Sequence, residues 1–169
     1  MARKPHQLRD PFHDSDHYYM TDSFVAVAGH PLHAMSVAFP IALAFATLGA
    51  DVFYWWTGDP FWTRAALYSS GFGFWLGVAA GITGTGELVF GPGIRRRIAV
   101  WTHFIAAVTL LSIMGANWGL RIADHEAAVL PYGILMSLLG AVMTGFAGWH
   151  GGKLVFDHQI GVSADPGKG

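Results

Sequence analysis

Five histidines and one glutamate stand out in a chain that is otherwise strongly apolar. His30, His33, His103, His150 and His158, with Glu87, fall inside or just beyond the ends of long hydrophobic stretches. A neutral imidazole offers a nitrogen lone pair to a transition metal or to haem iron, and a carboxylate can orient an imidazole or ligate a metal directly. An ionisable group inside a bilayer costs about 2.5 to 3.5 kcal/mol or more when unpaired. Glu87 and His103 are therefore candidates for function before anything else is known. The bland alternatives are specific too: His103 as a neutral imidazole hydrogen-bonded to Glu87 or to a helix carbonyl, and His30, His33 and His150 as polar anchors at the headgroup level.

The elements that must position these side chains are four apolar stretches, 34–57, 61–90, 98–120 and 127–150. Each is near or above the ~20 residues that carry a helix across ~30 Å of hydrocarbon. The expected fold is all-α, a four-helix transmembrane bundle running up-down-up-down. Alternation brings the start of the first and third stretches to the same side as the end of the second and fourth, so the histidines and Glu87 share one layer. His125 stands alone on the other side. The expected organisation is a polar interfacial segment over 1–29, the helical domain over 30–158 and a disordered tail over 159–169.

Composition narrows the classes. Hydrophobic residues make up 53% and charged residues 12%, with a net charge of −1, so no broad basic face addresses nucleic acid. Zero cysteines exclude disulfides, thiolate ligands, iron–sulfur ligation and covalent c-type haem. The first residues lack the short apolar core and small-residue cleavage site of a signal peptide. Arg3, Lys4, Arg9, Arg95, Arg96, Arg97, Lys153 and Lys168 fall on one side of the expected topology, and only Arg64 and Arg121 on the other. The positive-inside rule then puts both termini on the cytoplasmic side.

Within the stretches, Pro40 is expected to bend the first helix and free a carbonyl. Gly73, Gly77 and Gly81 form a close-packing face, and Gly140, Gly145 and Gly148 are read the same way. Tyr54, Trp55, Trp56, Phe61 and Trp62 mark an aromatic belt. The His13 to His17 tract is read as a solvated tail rather than a metal site. No internal repeat beyond the hairpin pattern is recognised, and neither a phosphate-binding loop nor a serine-nucleophile motif occurs in a plausible setting.

Gly29-His30-Pro31-Leu32-His33, Glu87, the arginine run before His103, and Gly148-Trp149-His150-Gly151-Gly152-Lys153-Leu154-Val155-Phe156-Asp157-His158 resemble the bacterial DUF2231 family of small four-helix membrane proteins. The resemblance covers roughly 29–162. It implies site roles for His30, His33, Glu87, His103 and His158. Lys153 stands where the family pattern has an acidic residue and His150 where it has an apolar one. Some relatives carry Rieske-type domains, which implies membrane redox chemistry.

Three functions can use such a layer. A non-covalent b-type haem needs facing imidazoles, small residues beside the macrocycle and cations for its propionates. His33 or His30 with His103, the glycine-lined helices and Arg95, Arg96 and Arg97 supply these, with Glu87 setting an imidazole tautomer. A non-haem iron, zinc or manganese site would instead gather two or three histidines around Glu87. A non-redox subunit of a larger membrane complex, or a homo-oligomer, is the third. The expectation carried forward is membrane electron transfer through haem b on His33 and His103, with a redox protein or quinone as partner.

Overall fold

A computed structural model describes residues 23–91, 93–158 and 160; the expectations for 1–22, including the His13 to His17 tract, and for most of the 159–169 tail fall outside them. Four helical spans are long and apolar enough to cross a membrane: Leu32–Thr57, Pro60–Phe90, Ile98–Ala123 and Val129–Phe156. The first is α1 (Leu32–Ser36) followed by α2 (Ala38–Thr57); α3 is Pro60–Phe90, α4 is Ile98–Ala123 and α5 is Ile134–Phe156.

Local signals set these limits. Gly58 ends α2 in the left-handed region (φ 69°), its N–H donating to the Tyr54 carbonyl, and Asp59 then accepts from the Phe61 N–H to start α3 with Pro60 in its first turn. The first span is interrupted at Val37, three residues before Pro40, whose lack of an N–H leaves the Ser36 carbonyl without its helical donor. The last span opens irregularly, through a π-helical turn Val129–Gly133 with Leu130 extended (φ −117°, ψ 130°). At its far end α5 continues past 150 to Phe156, which brings His158 back to the bundle.

Directly before α1 the described residues form a small hairpin. Strand β1 (Ala26–Val27) pairs antiparallel with β2 (His30–Pro31) through Ala28-Gly29, both at positive φ, the two-residue turn that matches strand twist.

In the bundle α2 packs on α3, α3 on α4, α4 on α5 and α5 back on α2, so α2 and α4 face each other across the diagonal. Size sorts opposite to a water-soluble protein. Ala44, Ala50, Ala66, Ala80, Ala106, Ala141 and Ala147 are buried, whereas Phe39, Phe45, Phe72, Trp75, Leu138 and Val142 lie outside. Lipid solvates large apolar groups as well as a core does, so the interior is selected for close backbone approach. Gly73 and Gly77 serve this: a β-carbon at Gly77 would lie 2.6 Å from Leu111 Cδ2. Gly140 is buried on the same principle, but Gly145 and Gly148 are exposed with nothing near, so they are not packing residues.

Candidate functional site

Two of the five histidines meet. His33 on α1 and His103 on α4 face each other across the bundle with ring centroids 6.3 Å apart and planes at 72°. Each is held from behind in the same way. His33 Nδ1 lies 2.8 Å from the Ala80 carbonyl of α3, and His103 Nδ1 lies 3.0 Å from the Ala147 carbonyl of α5. A carbonyl only accepts, so Nδ1 carries the proton in both rings, and in the neutral imidazole Nε2 keeps its lone pair. Each ring also rests on a glycine: a β-carbon at Gly84 would stand 2.7 Å from His33 Cε1, and one at Gly151 3.0 Å from His103 Cε1. Alanine at either position would push the ring away.

The other expected members of the layer do not join this pair. Glu87 sets no imidazole tautomer. Its carboxylate accepts from the Phe24 and Val25 N–H groups, both at 2.9 Å, and from the Ser23 hydroxyl. It pins the N-terminal hairpin to the end of α3, helped by the Phe24–Phe90 stack at 5.5 Å and by the Leu32 N–H on the Val25 carbonyl. His30 is exposed, with Nδ1 2.8 Å from the Ala28 carbonyl of its own turn. His150 turns back on α5, its Nδ1 3.0 Å from the Phe146 carbonyl. Arg97 donates to the His158 carbonyl at 2.8 Å, which ties the α3–α4 connection to the end of α5, while Arg95 and Arg96 are exposed beside it. Among the described residues no group of three or more histidine, aspartate or glutamate side chains is arranged to hold a metal ion.

A second polar centre lies toward the opposite end, and sequence reasoning missed it. Asp51 of α2 and Arg121 of α4, both fully buried, form a two-pronged ion pair at 2.9 and 2.7 Å. Arg121 Nε donates to Asn117 at 3.2 Å, and Nη2 to the Ser137 hydroxyl at 3.2 Å. Ser137 in turn donates to Asp51 at 2.5 Å and accepts from Asn117 at 2.9 Å. Every buried polar side chain among the described residues is partnered, as a charge pair in hydrocarbon requires. Arg121, counted above as an outward positive charge, is therefore an internal one. Beside the network a small void of about 10 Å³, near the size of a single water, is lined by Thr47, Ser70, Asn117 and Ser137 among apolar neighbours. His125 is not isolated either: its Nδ1 lies 3.2 Å from the Thr63 hydroxyl.

Fold and site together define a four-helix membrane protein that holds, among the described residues, one imidazole pair and one buried ion pair. The chain matches the family described as "Predicted membrane protein (DUF2231)" over residues 29–164, and it belongs to that family. No curated protein and no solved structure shows a significant match to it.

Proposed function

We infer that the His33–His103 pair is the axial-ligand site of a non-covalent b-type haem and that the protein carries electrons in a bacterial inner membrane. One observation carries the reading: two imidazoles on diagonal helices, each tethered through Nδ1, meeting edge-on with centroids 6.3 Å apart. Two metal–nitrogen bonds of about 2.0 to 2.1 Å, with roughly 1.1 Å from each nitrogen to its ring centre, require a centroid separation of about 6 to 6.5 Å. Among the described residues, two donors without a third match a metal that a macrocycle already holds better than a bare zinc, iron or manganese ion, which takes four or more protein or water ligands.

Bound haem supplies one-electron chemistry. The protein's part is orientation and tuning. The Ala80 and Ala147 carbonyls fix both tautomers and raise ligand basicity. Gly84 and Gly151 allow the rings to sit against the helix backbones, and the exposed Arg95 and Arg96 supply cations at the same end for propionates. With both termini cytoplasmic, this end lies toward the cytoplasm, within reach of a soluble redox protein or an interfacial quinone.

The test is haem content of full-length protein produced with haem supplementation and purified in detergent. Wild type is expected to retain haem, His33→Ala and His103→Ala to lose at least nine-tenths of it while still inserting, and His125→Ala to match wild type. Full haem retention by either ligand variant would overturn the assignment.

A further inference from the structure

The two polar centres have a common geometry. His103 follows His33 by 70 positions, Arg121 follows Asp51 by 70, and Asn117 follows Thr47 by 70. On the second helix of each hairpin the offset is 67: Ala80 and Ala147 hold the imidazoles, Gly84 and Gly151 seat them, and Ser70 and Ser137 line the same void. Near the ends the sequence itself repeats, one position out of step, as Gly86-Glu87-Leu88-Val89-Phe90 and Gly152-Lys153-Leu154-Val155-Phe156, with Leu88 and Leu154 in one buried cluster.

In a twofold arrangement a residue touches its own equivalent only on the axis. Here two such self-contacts occur, His33 with His103 and Asp51 with Arg121, 18 residues and about 27 Å of helix apart. Two points define a line, and that line runs down the bundle. We propose that the chain is a duplicated helical hairpin whose quasi-twofold axis passes through both pairs, so that the imidazole site is two equivalent half-sites built for a metal macrocycle with two equivalent, opposed coordination positions. This is the parallel type of repeat, with the axis along the membrane normal.

Two consequences follow. The line joining the imidazoles crosses the axis at right angles, so a macrocycle coordinated by both contains the axis and stands edge-on to the membrane surface. At the other centre two identical hairpins would set like charges against each other. Aspartate in one copy and arginine in the other make each hairpin fit its counterpart rather than a second copy of itself.

The axis is tested first without haem, on the full chain. Asp51→Arg and Arg121→Asp alone are expected to reduce detergent-stable folded protein at least tenfold. The fourfold exchange Thr47→Asn, Asp51→Arg, Asn117→Thr and Arg121→Asp is expected to restore it to within about twofold of wild type, because Ser70 and Ser137 already match across the axis. An exchange no better than the single reversals would overturn the duplication. The ligand half rests on the haem reading. Polarised absorption of haem-loaded protein in oriented bilayers is expected to put the haem normal in the membrane plane, with His33→Ala and His103→Ala equivalent in effect. A haem parallel to the membrane, or one dispensable histidine, would overturn it. Failure of wild type to bind haem would instead remove the functional reading and leave the axis to be decided by the exchange.

Discussion

At the scale of residues, the protein separates polar groups that hold structure from those left with spare chemical capacity. Asp51 and Arg121 use their hydrogen-bonding groups on each other, Asn117 and Ser137. Removing one partner strands the other in a dry interior. Arg121→Ala is expected to destabilise the folded protein by about 3 to 5 kcal/mol, measured by detergent or urea unfolding; a loss below about 1 kcal/mol would mean that water reaches the pair. The imidazoles of His33 and His103 engage one nitrogen each and keep the other. That contrast was half legible in the sequence. His103 declares itself by sitting inside an apolar stretch, and the same intramembrane rule applies with equal force to Asp51. Arg121 escaped notice because a cation near a helix end reads as an interfacial charge, and only the fold shows a carboxylate across from it. Glu87 was expected beside an imidazole, but its carboxylate accepts instead from three donors of residues 23–25, far away in sequence.

At the scale of elements, the helices were readable from length and hydropathy, whereas the Gly58, Asp59 and Pro60 signals that close α2 and open α3 came only with the structure. The N-terminal hairpin was not, because its stability comes from one remote carboxylate and a phenylalanine stack rather than from any pattern of its own. Glu87→Ala is expected to free it: amide exchange at Phe24 and Val25 should quicken about 10-fold to 100-fold, the equivalent of roughly 1.5 to 3 kcal/mol for hydrogen bonds to a charged group. Unchanged protection would mean that the hairpin is held by other contacts. The loop after α4 carries a pH signature. The Ala127 and Glu126 N–H groups hold the Asp124 carboxyl below its ordinary value of 3.8. A carboxyl lowered in the folded state stabilises it above the unfolded value and loses that contribution as pH falls through the folded one. Asp124→Asn should therefore flatten the dependence of melting temperature on pH below about 4 and leave it unchanged at pH 7 in slope; an identical acid limb in the two proteins would contradict this. The repeat also belongs to this scale. Its identities at a constant offset are single positions many residues apart, His33 with His103, Ser70 with Ser137, Ala80 with Ala147 and Gly84 with Gly151, and its one contiguous match, Gly-x-Leu-Val-Phe, is a position out of step, so nothing registers until the contacts show that they occupy equivalent places.

At the scale of the whole molecule, a shell of large apolar side chains surrounds an interior of small residues that, among the described residues, holds one imidazole pair and one buried ion pair. With Arg121 internal, the side opposite the termini keeps Arg64 alone among the basic residues assigned to it, and the proposed cytoplasmic location of both termini rests on that charge count. A reporter fused after Gly169 is expected to be active only in its cytoplasmic form, and an externally accessible C-terminus in intact cells would reverse the orientation. The central claim is that the His33–His103 pair takes haem iron on both sides. It is tested most directly by the absorption spectrum of the purified, haem-supplemented protein before and after dithionite. The account predicts a Soret band that shifts to longer wavelength on reduction, with the sharp α and β bands of six-coordinate low-spin haem, all lost in His103→Ala. A spectrum without a Soret band, or one unchanged by removing His103, would contradict it.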